Sequence, residues 1–307
     1  GREKSIFRRH PWIFSGGIAR VDGNPHGGEI VTVRAESGAF LARGYWNSRS
    51  QIQVRVLSFE DVPIDSAWWR AMFQRAIDGR KHLTTNAYRL INAENDFLAG
   101  LIVDRYGDWL VLQALTLGID KIKRELAQLL MEMTGARGVF ERSDADVRGK
   151  EGLKPIVGVL IGEAPPKHIV IEEGVKFAVD VYKGHKTGMY LDQRENRALL
   201  AELIAQEPHL THILNVFSYS GGFGLHALKH PHTQVMNIDS SAEALELGRD
   251  NLRVNRFDDS RVQFVQADVF DDLRHRARRQ EQVDVVILDP PKFAHTQGQV
   301  EKAARGR

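Results

Sequence analysis

Ile213-Leu214-Asn215-Val216-Phe217-Ser218-Tyr219-Ser220-Gly221-Gly222-Phe223-Gly224 decides how the second half of this 307-residue chain folds. The apolar run to Phe217 reads as a buried strand, the Ser/Gly tract as a turn, and Leu225 onward as a helix. Glycines let a backbone pass close to a ligand, and a helix start favours negative charge. The stretch is short of the full G-x-G-x-x-G dinucleotide fingerprint, and a purely structural turn would read the same way. Around it, apolar strand patterns at 175–181, 212–217, 234–239, 262–268 and 283–289 alternate with helical ones at 193–206 and 241–255. Asp192 with Glu195 is predicted to cap the first helix, and Ser240 with Glu243 to form a capping box for the second. This alternation predicts an α/β, doubly wound, mostly parallel sheet.

Carboxylates at the strand ends add chemistry to that sheet. Asp239 lies eighteen positions after Gly221, where an acid can accept hydrogen bonds from both hydroxyls of a ribose. Asp268 ends the third strand, within reach of an adenine amino group. Asp289 ends the fourth, in Leu288-Asp289-Pro290-Pro291-Lys292-Phe293. One such Asp is ordinarily a helix cap; a glycine turn and three Asp at consecutive strand ends point to a ligand crevice. The double proline removes two backbone donors and fixes the chain direction, and the Phe can stack on a planar base. A nicotinamide dehydrogenase has no use for this element, whereas S-adenosylmethionine enzymes acting on bases commonly carry it. Upstream, 186–196 mixes charge, glycine and aromatic residues and could cover the methionine end of that cofactor; it also reads as a loop with a helix cap.

Residues 1–60 carry nine Lys and Arg against five Asp and Glu, a local +4 in a chain of net +2. With the turn signals at 16–17, 22–25 and 27–28, alternating strands at 29–34 and 52–56 suggest a small β-barrel. Its basic Arg2, Lys4, Arg8 and Arg9 suggest an anionic partner or a solvated basic face. A helix is expected over 66–83 with Ser66 as cap, and Trp68 and Trp69 on its core side. Residues 86–165 predict a compact β-β-α-β-β module: a hairpin turning at 106–108, an amphipathic helix over 119–133 with Ile122, Leu126, Leu129, Leu130 and Met133 on one face, and a returning strand at 138–142. The domains expected are 1–65, 66–168 and 169–307. No run has the roughly 18 apolar residues of a membrane helix, and no metal-ligand spacing is seen. The chain has no cysteine, which excludes disulfides and thiolate chemistry from these residues and fits a cytoplasmic setting.

Taken together these stretches resemble the bacterial 23S ribosomal RNA cytosine-C5 methyltransferases of the large-subunit methyltransferase I type. The resemblance runs through 1–16, 100–108, 141–144, 186–196, 215–223 and 289–293. It implies an N-terminal PUA-like β-barrel, a central α+β domain and a Rossmann-like class I methyltransferase domain using S-adenosylmethionine. It further implies that Lys186, Thr187, Gly188, Asp192 and Gln193, with Asn215, Phe217, Ser218, Tyr219, Ser220, Gly221 and Phe223, hold the methionine part. Asp239 would take the ribose and Asp268 the adenine, Asp289 and Pro290 would also contact the cofactor, and Asp289 would sit beside the target base. Arg2, Lys4, Arg8, Arg9, Lys292 and Phe293 would face 23S RNA, and a homodimer stays open.

In that family a cysteine thiolate adds to carbon 6 of a flipped-out cytosine, carbon 5 takes the methyl group, and a base removes the C5 proton. The family's Ser-Cys-Ser motif follows the Asp-Pro-Pro element and is absent here. Such sheets normally have seven strands, so the chain is expected to be an incomplete copy of a longer protein, with 303–307 opening the next helix. A complete reading frame lacking cysteine beyond Phe293 would overturn that expectation. Two other functions fit the residues: an N-methyltransferase acting on an exocyclic amine, which needs no thiol, and a catalytically inert RNA-binding homologue.

Overall fold

The computed structural model describes residues 4–291 and 298. Arg2, Lys292 and Phe293, expected to face RNA, and the tail 303–307 lie outside the described residues. The chain forms two compact units, Gly1–Val170 with Val179–Met189, and Ile171–Ala178 with Tyr190–Arg307.

In the first unit, α1 (Lys4–Phe7) leads into β1 (Trp12–Phe14), β2 (Ile30–Arg34), β3 (Phe40–Trp46) and β4 (Ile52–Ser58), an antiparallel sheet of order β1-β4-β3-β2. Helix α2 (Ser66–Asp78) follows. Its cap is Asp65, not the expected Ser66: Asp65 is extended and its carboxylate accepts the Trp68 amide at 2.9 Å, whereas Ser66 is already helical. Trp69 and Phe73 enter the core, as their spacing predicts, and Trp68 packs half-buried beside it.

The central sheet has five strands in spatial order: β5 (Ala87–Asn92), β6 (Leu101–Tyr106), β7 (Trp109–Ala114), β8 (Gly138–Ser143) and β9 (Ile156–Gly162). The β7–β8 pair alone is parallel, joined by the crossover helix α3 (Leu117–Thr134). The sequence pattern anticipates two strands before this helix; β5 is the third. It escaped because its pairing with β6 shifts register between Arg89 and Ile91, which breaks the two-residue alternation. Tyr45 and Leu57 from the first sheet share one apolar cluster with Trp69, Phe73 and the central strands. The buried Glu151 carboxylate adds a polar tie, accepting from Asn47 Nδ2 (2.8 Å), Ser50 Oγ (2.9 Å) and Arg55 Nη2 (3.1 Å). The three-domain division at 65/66 and 168/169 is therefore a proposal about sequence modules.

The hairpin β10 (His168–Glu172) and β11 (Val175–Val179) carries the chain onward. The second unit then winds α4 (Arg194–Gln206), β12 (His212–Val216), α5 (Gly222–Ala227), β13 (Gln234–Asp239), α6 (Ala242–Asn255), β14 (Val262–Gln266), α7 (Val269–Arg279) and β15 (Val285–Leu288). The sheet is wholly parallel with order β14-β13-β12-β15. The order reverses beside β12, and ligands of such sheets bind at that switch point. Two expected caps move. Asp192 sits in a short 3-10 turn, and Gln193, at the N-cap of α4, makes no side-chain cap. For α6 the cap is Ser241, whose side chain accepts the Ala244 amide at 3.2 Å. Among the described residues no helix is long and apolar enough to cross a membrane.

One buried ion pair anchors this unit. Arg197 of α4 donates from Nε and Nη2 to both oxygens of Glu172, at 2.7 and 2.8 Å, and also to the Tyr190 carbonyl at 2.9 Å. Both side chains are buried, and removing one partner of such a pair strands the other charge in the interior. Arg197→Met is expected to cost about 3–5 kcal/mol, read by denaturant unfolding, with a smaller loss when Glu172→Leu is added.

Candidate functional site

The turn after β12 is built on two layers of hydrogen bonds. In the lower layer, Asn215 Nδ2 donates to Asn237 Oδ1 at 2.8 Å across the two central strands. Gly224 of α5 lies against that amide: a Cβ there would stand 2.6 Å from Asn237 Oδ1 and 2.8 Å from Val235 Cγ1. Only glycine lets the helix settle this low on the sheet. In the upper layer, the Asp239 carboxylate accepts the Tyr219 amide (2.8 Å) on one oxygen and the Ser241 amide (2.9 Å) on the other. Ser218 N donates to the Ile238 carbonyl at 3.0 Å, and Asn251 Nδ2 to that of Ser220 at 3.2 Å.

These bonds hold an unusual backbone. Phe217 and Tyr219 both have left-handed φ, 55° and 49°, and Gly221 follows at 75°. The left-handed conformation costs a non-glycine residue about 1–2 kcal/mol, and such residues persist where the surroundings over-determine them, frequently at ligand sites. Here Asp239 supplies that determination directly at Tyr219.

Around the turn the structure gathers Asp192, Asp239 and Asp289 near Tyr190. Burial first, then these three carboxylates, push the Tyr190 hydroxyl above its ordinary pKa. Its ring meets Tyr219 edge-on, centroids 5.3 Å apart. Phe217 packs edge-on against Phe270, and Phe223, Gln193 and Asp239 are half-buried. Asp289 and Pro290 are exposed beyond β15. Asp268 is also exposed and caps α7, accepting the Asp271 amide at 3.0 Å; a carboxylate so used keeps further lone pairs.

Several expected cofactor contacts lie deeper than their residue types suggest. Asn215 is buried with its amide committed to Asn237, so it lies beneath the turn and is not presented to a ligand. Ser218, Ser220 and Gly221 are buried too, and shape the turn through their backbones. Ser218 Oγ has no hydrogen-bond partner among the described residues. Thr187 and Gly188 belong to the first unit and are buried there; the Thr187 hydroxyl donates to Asp104 at 2.6 Å. Lys186, beside them, is exposed. Sequence reasoning missed Tyr190, Arg197 and Asn237. Tyr190 lies inside the 186–196 stretch, but nothing local marks a residue whose surroundings come from Glu172 or Asp239. Lys4, Arg8 and Arg9 are exposed along and just after α1.

Comparison with known proteins agrees with this geometry. Residues 1–59 match the family model of a PUA-like domain, and residues 150–305 that of an S-adenosylmethionine-dependent methyltransferase. Proteins named ribosomal RNA large subunit methyltransferase I from Shewanella denitrificans and Aeromonas salmonicida are 47% and 45% identical over the whole of this chain, which spans 78% of each. Among solved structures, one described as a methyltransferase complexed with SAH superposes with a TM-score of 0.80 at 24% identity, covering 96% of this chain and 76% of that one. A SAM-dependent methyltransferase from Streptococcus mutans gives 0.79 at 22%, covering 98% and 79%. At that identity the two share the fold.

A parallel sheet with its glycine turn at the switch point, matched by that family model, defines a Rossmann-like S-adenosylmethionine-dependent methyltransferase that carries a PUA-like domain. The chain belongs to the family of the ribosomal RNA large subunit methyltransferases I, and its cofactor is S-adenosylmethionine.

The residues present fit that cofactor. A ribose diol needs acceptors, and each Asp239 oxygen keeps a lone pair after binding one amide. A cationic sulfonium suits a rim that holds Asp192, Asp239 and Asp289. Asp239→Asn places an amide NH2 against a backbone N–H, so it is expected to weaken S-adenosylmethionine binding by about tenfold or more, measured by calorimetry. Gly224→Ala is expected to lower stability by about 1–3 kcal/mol through overpacking on Asn237, read by urea unfolding.

Proposed function

We propose that this chain serves the methylation of carbon 5 of a cytosine in 23S ribosomal RNA, in the cytoplasm. The observation that carries the proposal is the set of carboxylates at consecutive strand ends, Asp239, Asp268 and Asp289, beside the left-handed turn. When bound, S-adenosylmethionine supplies an electrophilic methyl group. Asp239 holds the ribose, Asp268 accepts from the adenine amino group while capping α7, and Tyr190 with Tyr219 closes the aromatic side of the crevice. Asp289 and Pro290 face the target base, where an exposed carboxylate can accept from an exocyclic amine and orient the ring. The thiolate that C5 chemistry requires is not among these 307 residues, so in this reading it comes from a part of the protein outside them.

A second reading keeps the same crevice and changes the acceptor atom. With no cysteine in the chain, Asp289 could present an exocyclic nitrogen directly to the methyl group, giving an N-methylated base. Nucleoside mass spectrometry of 23S RNA incubated with labelled S-adenosylmethionine and the full-length protein, which in the first reading supplies the thiolate, separates the two. Labelled 5-methylcytidine is the expected product; N-methylguanosine or N-methyladenosine would overturn the C5 reading. Binding of cofactor with no methylated nucleoside would favour an RNA-binding homologue without turnover.

In this proposal the exposed cations Lys4, Arg8 and Arg9 contact RNA phosphates. Replacing all three by Glu is expected to weaken RNA binding and to flatten the slope of log affinity against log salt by about 2. Cofactor affinity should be unchanged in the same titrations.

A further inference from the structure

The segment leading to Tyr190 is fastened to the central sheet by a buried chain of hydrogen bonds. Asp104 of β6 is fully buried. Arg89 donates to its two oxygens from Nε and Nη2, at 2.8 and 3.1 Å. Thr187 Oγ1 donates to Asp104 Oδ2 at 2.6 Å, which commits its single proton. The Tyr106 hydroxyl therefore donates to Thr187, at 2.8 Å, and itself accepts from the Met189 amide at 3.3 Å. The bonds run in one direction, from Met189 N–H through two hydroxyls to a carboxylate. From β8, Arg142 adds bonds from Nη1 to the Val181 and Gly184 carbonyls, at 2.7 and 3.1 Å.

The backbone on either side of Thr187 explains what such a chain does. Lys186 has a φ of 54° and Gly188 one of 149°, and a Cβ at Gly188 would stand 2.9 Å from Val179 Cγ1. Backbone of this kind needs outside determination, and Thr187 is the buried tether between the two positions. Lys186 is left exposed. All of these atoms lie in the first unit, and the chain enters the second at Tyr190, whose carbonyl is held by Arg197. Packing alone does not require the arrangement, since valine would fill the Thr187 volume.

We propose that Asp104, Tyr106 and Thr187 form a latch that sets the backbone through Met189 and so delivers Tyr190 to the cofactor crevice. The three are positioning residues for S-adenosylmethionine binding. The proposal rests on the reading that Tyr190, Tyr219 and Asp239 border that crevice.

The test compares the wild type with Thr187→Val, Thr187→Ser and Tyr106→Phe. It follows hydrogen exchange at the Gly188 and Met189 amides without ligand, and S-adenosylmethionine affinity by calorimetry. Thr187→Val and Tyr106→Phe should speed exchange at these amides and weaken cofactor binding roughly tenfold, the scale of a lost hydrogen bond in a charged network. In turnover by the full-length protein they should raise the cofactor KM with little change in kcat or in RNA affinity. Thr187→Ser keeps the hydroxyl and should recover most of the affinity. Unchanged exchange in Thr187→Val overturns the latch. Faster exchange with unaltered cofactor affinity overturns its positioning role. Asp239→Asn leaves the latch intact, so an unaltered affinity in that variant instead sinks the assignment of the crevice.

Discussion

The Asp239 carboxylate is the point on which the turn after β12 and the start of α6 depend. It ends β13 and binds two backbone amides, Tyr219 from the turn after β12 and Ser241 from the start of α6. These bonds fix the entrance of α6 and hold Tyr219 in a left-handed conformation. The same two oxygens are the acceptors proposed for the ribose. In that proposed role a single charge both organises the turn and receives the ligand, so little reorganisation is needed when cofactor binds. The Asn215–Asn237 amide pair beneath it acts on packing: it lets a glycine, and only a glycine, bring α5 down onto the sheet.

Two buried carboxylates, one in each unit, repeat one device. Asp104 in β6 and Glu172 in β10 each receive a two-pronged arginine, Arg89 and Arg197, and each also governs a loop. Asp104 reaches Thr187 directly, whereas Glu172 acts through Arg197 on the Tyr190 carbonyl. Burying such pairs gives little net stability, because desolvation offsets the attraction. Their value here is direction: a bidentate pair allows one geometry, and the loop bonded to it inherits that geometry.

The parallel sheet was legible because its signals are local. A buried strand, a glycine turn and an acid at the next strand end lie within some thirty residues, and β12, β13 and the α6 helix fall where the pattern puts them. Strand β5 was not legible, since its bulge hides the alternation. The caps at 65 and 241 were each one residue from the positions expected, because both flanking residues can cap and only the backbone angle chooses. The site was legible in its acids and less so in its small polar residues. Thr187, Asn215 and Ser218 lie in or shortly before glycine-bearing turns, a context that suggests ligand contact, yet burial directs Thr187 and Asn215 to partners 83 and 22 residues away. Arg197 and Tyr190 gain their roles from such distant partners, and no periodicity reports them.

The chain passes between its two units three times, at 170/171, 178/179 and 189/190. The β10–β11 hairpin therefore gives its outer ends to one unit and its tip to the other. No single cut in the sequence separates the units with both intact, so the pair cannot be shuffled by one splice as tandem modules can. Emerging from the ribosome, the first unit has all of its residues only after position 189 has been made. By then only the hairpin tip of the second unit has been made, so the first unit can complete its folding while that tip waits for the residues from Tyr190 onward.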